Sequence, residues 1–338
     1  MITQKKLMKV EKCKKNDKEL LVSYIDEFWQ KNHILVKNQD LFKWQHLNKS
    51  FYNFYIFKKE NKICGILGFI PTYQYDISLT NNKDYFGAIW SVNKLAPPAA
   101  GHFLMKKLLS SENPDFIGFV GISAQAKFFY KKWNLEISYL NQYYIINRSF
   151  KNYKIFKGKV FQVNKSEALS SDLKLIKINN LLELKLAHKY RPEKTINYLI
   201  NRYQKHPVYD YFFYGLKDDN NKLHCIFVIR KQIYMDRSCL RIIDIYGDIN
   251  NISSIKKQLE NLLLLENSEY IDVLNYGISS KIFKRLGFLK LDFSSQNIIV
   301  PNFFQPFVQK NIKIEFSYKS KYDNFVIFRG DGDQDRPS

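Results

Sequence analysis

Two stretches of the chain spell the same local plan. Phe128–Ile137 (FFYKKWNLEI) and Lys281–Leu291 (KIFKRLGFLKL) each run from an aromatic and basic helix end through a turn residue into an apolar strand. A period of roughly 150 residues requires one architecture to be built twice, which constrains the fold more than any composition does. The length of 338 residues agrees with two domains. A boundary near residue 150 divides the chain into 1–150 and 151–338.

Periodicity fills in each half. Lys18–Lys31 (KELLVSYIDEFWQK) sets Leu21, Tyr24, Ile25 and Phe28 at helical spacing, and Phe42–Asn48 is a short helix or loop. Asn53–Lys59 and Lys62–Pro71 form a hairpin around Glu60-Asn61-Lys62, followed by a strand over Tyr85–Val92. A proline-initiated helix over Ala99–Leu109, a buried strand over Asp115–Ile122, a helix over Ser123–Trp133 capped by Ser123, and a strand over Ile137–Asn147 complete the first half. After a polar stretch from Arg148 to Ser171 the order returns. Helices are expected over Leu181–Lys189 and Lys194–Gln204, a hairpin over Tyr209–Leu216 and Lys222–Gln232, and a strand over Ser238–Tyr246. A helix over Asn251–Glu266, a strand over Tyr270–Asn275 and a short helix over Ser279–Arg285 follow. The fold class is α/β (α+β).

An apolar fraction of 45% excludes a mainly disordered chain. The longest apolar runs, such as Ile63–Ile70, fall short of the roughly 18 residues of a membrane span, and the start MITQKKLMKVEKCKK has no apolar signal core. Cys13, Cys64, Cys225 and Cys239 lie far apart without a CxxC pair, as expected of reduced, buried thiols in a cytoplasmic protein with no metal site. The net charge of +21 comes from 44 Lys and only 9 Arg. Base readout favours Arg, so no nucleic-acid partner is expected. Compositional drift towards Lys and an anionic small ligand both account for the charge.

The chemistry concentrates at Ile89–Lys107. A helix N-terminus presents free backbone N–H groups and partial positive charge, and small residues let a phosphate approach them. Pro97-Pro98-Ala99-Ala100-Gly101 supplies that smallness, with His102 beside it and Lys106 one to two turns on. An ordinary proline-initiated helix packed on its sheet reads the same way. Tyr130 lies on the helix after the next strand, where a phenol of pKa about 10 is able to donate a proton to a leaving thiolate. Among 23 Tyr a core role is the commoner one.

Together these elements resemble the GNAT superfamily of acyl-CoA-dependent N-acyltransferases, whose corresponding helix ends Tyr-x-x-x-Gly-Phe. Here it reads Tyr130-Lys131-Lys132-Trp133-Asn134-Leu135, with Asn134 at the glycine position. The phosphate loop keeps only Gly101 and its small neighbours from the family's Arg/Gln-x-x-Gly-x-Gly/Ala pattern. The resemblance implies two tandem GNAT-like domains, each a mixed, mostly antiparallel sheet flanked by helices. It implies acyl-CoA bound by Trp90, Ala99, Ala100, Gly101, His102 and Lys106. The catalytic set would be Tyr130 as acid, a backbone N–H of the Trp90-Ser91-Val92 strand as oxyanion donor, and Ser91 positioning the amine. Phe283-Lys284-Arg285-Leu286-Gly287-Phe288 carries the resemblance into the second half. Phe283 there lacks the hydroxyl, and Tyr246–Asn251 has lost the phosphate pattern, so only the first half is expected to bind CoA.

His33–Gln45 (HILVKNQDLFKWQ), Ile299–Phe307 (IVPNFFQPF) and Gly330–Ser338 (GDGDQDRPS) look like tandem-GNAT enzymes that acylate nucleotide-linked amino-deoxysugars for bacterial surface polysaccharides. That likeness implies an acetyl-CoA or 3-hydroxybutyryl-CoA donor, a dTDP- or UDP-linked amino sugar as acceptor, no membrane partner, and a quaternary structure compatible with a homodimer. His46, Asp84, Arg202, Tyr203 and His206 are the acceptor-site candidates by residue type, with His102 a further candidate base. A solvated tail is the competing reading of Gly330–Ser338. A tandem-GNAT aminoacyl, peptide or small-amine transferase and a non-catalytic binding module remain as alternatives.

Overall fold

The computed structural model describes residues 8–159, 173–250 and 252–337. The first seven residues of the basic leader, the second half of the polar stretch ending at Ser171 together with residue 172, the first residue of the helix expected from Asn251, and the final Ser338 lie outside the described residues.

The first sheet grows from alternating apolar runs. Strand β1 (Met8–Lys14) leads into α1 (Lys18–Tyr24), which continues through a wider π-type turn, Ile25–Trp29. Helix α2 (Gln39–His46) precedes the hairpin β2 (Phe51–Lys59) and β3 (Lys62–Pro71). Then come β4 (Asp84–Val92), α3 (Ala100–Glu112), β5 (Phe116–Val120), α4 (Ala124–Lys132) and β6 (Glu136–Tyr139). Helices α1 and α2 cover one face over Phe54, Ile56 and Ile66, while α3 and α4 cover the other over Leu67 and Phe69. Full burial of such side chains contributes about 1.5–3 kcal/mol each. Ser123 caps α4 as expected, its hydroxyl accepting from the Ala126 N–H at 3.3 Å, and Asn134 ends that helix in the left-handed region at φ 54°.

The expected strand over Ile137–Asn147 divides between two sheets. Leu140 separates β6 from β7 (Asn141–Ile146), and β7 leaves to pair antiparallel with a strand of the second half. The second sheet comprises β8 (Lys174–Ile178), β9 (Phe212–Lys217), β10 (Leu223–Tyr234), β11 (Arg237–Gly247) and β12 (Tyr270–Tyr276), with α5 (Lys256–Leu265) and α6 (Ser280–Leu286) packed on it. In return, β13 (Glu315–Ser320) inserts between β5 and β6. Each eight-stranded sheet, β1-β2-β3-β4-β5-β13-β6 and β7-β12-β11-β10-β9-β8 with short edge pieces, thus holds a strand from the other half. Most pairs are antiparallel; β4 with β5 and β11 with β12 are the parallel ones.

The segment Leu181–Lys189 is not helical. It runs irregularly against the second sheet, where Tyr246 Oη donates to the Leu186 carbonyl at 2.8 Å and the His188 ring stacks on Tyr246 at 5.0 Å. These tertiary contacts override local helix propensity.

The C-terminal segment is buried rather than solvated. Lys194 Nζ, itself fully buried, lies 2.7 Å from Asp244 and 2.9 Å from Asp331. Arg230 pairs with Asp335 at 2.5 Å, and Arg202 donates to the carbonyls of Gly330 and Gly332. Breaking one buried pair by removing a partner costs about 3–5 kcal/mol, because the other charge stays behind.

Two buried histidines set an acid limit on this fold. Burial lowers the pKa of His33 to about 4 and of His46 to about 3, against about 6.5 in the unfolded chain. Between those values only the unfolded chain takes up the protons, so stability falls with pH by about 2 kcal/mol per histidine at pH 5. Asp84, raised to about 6 by burial, opposes this, its folded carboxyl gaining about 1 kcal/mol over the same interval. The unfolding midpoint is therefore expected to drop by several degrees from pH 7 to pH 5. An equal or higher midpoint at pH 5 would contradict the placement of these rings.

Candidate active site

The pairing of β4 with β5 stops at Gly87↔Phe119. The Phe119 ring lies where a Cβ on Gly87 would be, 2.0 Å from its ideal position, so only glycine fits that pair. Immediately beyond, the register with β3 jumps from Phe69↔Gly87 to Leu67↔Trp90, setting Ala88 and Ile89 opposite Gly68 alone. This bulge shifts the alternation of β4 by one residue. Ile89 then faces the α1–α2 side, while Trp90 turns to the α3–α4 side. From Ala88 to Val92, β4 has no strand partner on the β5 side among the described residues, so the backbone polar groups on that edge are without a ladder partner. The expected opening of Trp90-Ser91-Val92 by a bulge is present.

The loop after Val92 shapes the wall of the opening. Asn93 closes a turn onto the Leu95 N–H, Pro97 and Pro98 fix the approach, and Ala99 takes the left-handed conformation at φ 65° as N-cap of α3. That conformation costs about 1–2 kcal/mol for a non-glycine residue. The Ala100 and Phe103 amides find backbone acceptors at Pro97 and Ala99, whereas those of Gly101 and His102 have none among the described residues. These two amides stand at the positive end of a 13-residue helix with no acidic residue in its first turn.

The resulting cleft measures about 780 Å³ and runs between this helix end, Trp90-Ser91-Val92 and one face of α4. No carboxylate lines it. Ala99, Ala100, Gly101, His102, Trp90, Ser91 and Val92 all meet there as the sequence suggested. His102 stacks on Trp133 with ring centroids 4.4 Å apart. Lys106 does not join them; with Phe103 and Lys107 it lines a shallow groove on the outer side of α3. Lys132 is the lysine of the cleft. Gln125, Phe129, Lys132 and Trp133 follow helical spacing on α4, a periodicity that was available in the sequence but eclipsed by Tyr130.

Tyr130 lies beneath this face, 4% exposed, its ring 5.4 Å from Trp90 and 4.8 Å from Phe119. Burial, and then the nearby charge of Asp333, push its pKa up, so the phenol keeps its proton at neutral pH. Ser91 has a partner that sequence spacing does not reveal: Tyr24 Oη, 3.3 Å from Ser91 Oγ across the sheet edge. Burial raises that phenol to about 12.

The five acceptor candidates serve the frame instead. His46 is a neutral core ring, its centroid 4.6 Å from that of Phe54. Asp84 sits at the far end of β4, accepting from the Glu193 N–H at 3.1 Å and lying 3.4 Å from Arg191. Arg202 is spent on Tyr75 and the tail carbonyls, and Tyr203 donates to Asp244 at 2.7 Å. His206 caps a turn by accepting from Val208 and Tyr209 N–H groups, and burial lowers its pKa to about 3.

The second half repeats the bulge, at Ile243 between the pairs Val228↔Asp244 and Ile229↔Ile242, and β11 parts from β12 after Ile242↔Val273. Here the gap is filled by the chain itself. Phe328 pairs with Asn275 of β12, and the Gly330 N–H donates to the Ile243 carbonyl of β11 at 3.0 Å. Phe283 stacks on Tyr143 at 4.2 Å in the core, and Arg285 donates to the Asn250 and Ile252 carbonyls before α5. The segment Phe328–Gly330 thus occupies the position on β11 and β12 that is left unpaired in the first half.

No family model and no curated protein matches the chain. Solved structures do. A GCN5-related N-acetyltransferase from Anabaena variabilis is similar over 93% of this chain and 72% of its own, at 13% identity and TM-score 0.54. A probable N-acyltransferase from Enterococcus faecalis, a conserved protein of unknown function, is similar over 93% of this chain and 73% of its own, at 10% identity and TM-score 0.54. With the bulged β4, the parted β4–β5 pair and their repetition in β11–β12, these likenesses show the fold: two GNAT-type units in tandem, each a mixed, mainly antiparallel sheet flanked by helices.

Proposed function

We propose that the chain is an acyl-CoA-dependent N-acyltransferase whose first half binds the donor and whose acceptor is a nucleotide-linked amino sugar. One observation carries the donor assignment: free Gly101 and His102 amides open into an acid-free cleft that runs to an unpaired strand edge. The residues suit the group. A diphosphate matches the helix end, and Lys132 and His102 add donors beside it. Bound there, the thioester supplies an activated acyl group, either acetyl or 3-hydroxybutyryl. The chain's own part is to offer a β4 backbone N–H to the developing oxyanion. It also holds a proton at Tyr130 Oη for the departing thiolate and orients the amine through Ser91 and Tyr24.

The acceptor reading draws support from convergence. His33, Asn302–Gln305 and Asp333, Gln334, Arg336 and Pro337, taken from the three segments that look like amino-sugar acyltransferases, line a single cavity of about 210 Å³. Among the described residues no helix is long and apolar enough to cross a membrane.

Gly101→Asp tests the donor site without disturbing the fold. A Cβ at Gly101 meets only the Trp90 indole at 3.5 Å, an ordinary contact, and an acidic residue in a first helical turn is favourable in itself. Millimolar acetyl-CoA is expected to raise the unfolding midpoint of the native chain by several degrees, and the variant is expected to lose that shift while unfolding at the same temperature without ligand. A variant that keeps the shift would move the phosphate site elsewhere.

Tyr130→Phe removes a hydroxyl that has no hydrogen-bond partner among the described residues, so its stability should be preserved. Thiol release from acetyl-CoA with an amino-sugar acceptor should slow by about one to three orders of magnitude at unchanged CoA affinity. Undiminished turnover would exclude Tyr130 as the acid.

A further inference from the structure

Arginine is scarce in this chain, nine residues against 44 lysines, yet Arg230, Arg241, Arg329 and Arg336 line the same cavity between the two sheets. Three of them are neutralised: Arg241 by Asp272 at 2.8 Å, Arg230 by Asp335 at 2.5 Å, and Arg336 by Asp333. Arg329 is not. It is 6% exposed, and its Nε and Nη1 make no hydrogen bond. The nearest carboxylate oxygen, Asp335 Oδ1 at 3.9 Å, is taken by Arg230, and Oδ2 accepts from Tyr211. The guanidinium lies over the Phe303 ring at 5.3 Å, which leaves its edge open.

Two further groups in the cavity wall are unsatisfied. His33, 2% exposed, accepts from the Leu35 N–H through Nδ1, so its neutral ring carries the proton on Nε2, which has no partner. Asn302 Oδ1 is also buried and unpaired; as an acceptor it calls for a donor on the ligand, such as a hydroxyl, and not for the anion itself. A buried charge without hydrogen-bond partners is expensive, and the unsatisfied donors of Arg329 and His33, both residues of this cavity wall, are matched by a ligand that brings anionic oxygens. Burial, then the charge of Arg241, lowers the Arg329 pKa to about 9, which leaves it a cation at neutral pH.

We propose that this cavity is the anion subsite of the acceptor, in which Arg329 and His33 Nε2–H grip a phosphate or carboxylate group. At about 210 Å³ it is smaller than the ~300–1,000 Å³ of sites that enclose whole drug-sized ligands, so it takes the charged part of the acceptor and leaves the rest outside. Its position suits transfer. Asp333 lines the cavity and its charge is felt at Tyr130, while Gln334 lines it and donates to the Val120 carbonyl at 2.7 Å, where β5 leaves β4. That the anion belongs to an acceptor rests on the acyl-transfer reading above; the binding of the anion does not.

The test is thermal unfolding of the full chain with inorganic phosphate, diphosphate or acetate, each against chloride at equal ionic strength. At least one of these anions should raise the midpoint of the native chain by several degrees, and Arg329→Met should abolish that shift while keeping the shift with acetyl-CoA. Without ligand the Met variant should unfold no lower than the native chain, because it removes a buried charge whose one ion pair, to Asp335, is long and shared with Arg230; a cation serving only the frame would lower it. Arg329→Lys, which keeps the charge but loses the fork, should bind the anion at least tenfold more weakly. A response to phosphate or diphosphate alone identifies a phosphorylated acceptor, and one to acetate alone a carboxylate. No response in the native chain, or one retained by both variants, overturns the subsite. Loss of CoA binding with the anion response intact would instead refute the donor assignment and leave the subsite standing.

Discussion

The site depends on where β4 and β5 stop pairing. A parallel pair of full length would bury the edge of β4, and no ligand would reach a backbone N–H there. Phe119 lying across Gly87, and the two-for-one bulge at Ala88–Ile89, end the pairing and turn Trp90 towards α3 and α4. The small loop Pro97–Gly101 then brings a helix end to the mouth of the gap. An opening of this kind leaves polar backbone to be satisfied, and the two halves solve this differently. In the second half the segment around Phe328–Gly330 pairs across the gap, whereas in the first the gap continues into a cleft.

One C-terminal segment serves both places. It closes the second opening, is fixed by Lys194 between Asp244 and Asp331, and then passes beneath the first, with Gly332 against Phe86 and Gln334 on the Val120 carbonyl. Buried ion pairs add little net stability over apolar residues of equal size. What they supply here is position, since a tail laid down by hydrophobic contact alone would have no fixed register. The charge of the chain divides on the same line. Lysines make up most of the +21, while arginine, with its planar fork, supplies four of the buried cations, Arg202, Arg230, Arg241 and Arg329, where geometry matters.

Local signals were legible in the sequence. The Ser123 cap, the left-handed Asn134, the hairpins, Phe283 in the core and the helix end at Gly101 each follow from residues close in the chain, and the structure has them where spacing puts them. Contacts distant in sequence were not. The exchange of β7 and β13 leaves no mark on periodicity, because a strand alternates alike in either sheet. Arg202 and His46 have the residue types of a binding site, yet burial among Tyr75, the tail carbonyls and Phe54 makes them frame. Gly330–Ser338 reads as a solvated end until Asp331 and Asp335 are matched with Lys194 and Arg230, far away along the chain. Lys106 and Lys132 differ only in which side of a helix they occupy relative to a cleft that the sequence does not draw.

Amide hydrogen exchange, followed residue by residue with and without CoA, tests the central claim most directly. The account predicts slowed exchange centred on Gly101 and His102 and on the unpaired edge Ala88–Val92, with the second opening around Ile243 and Gly330 unchanged. Protection confined to the second half, or none at either segment with CoA at saturating concentration, would contradict it.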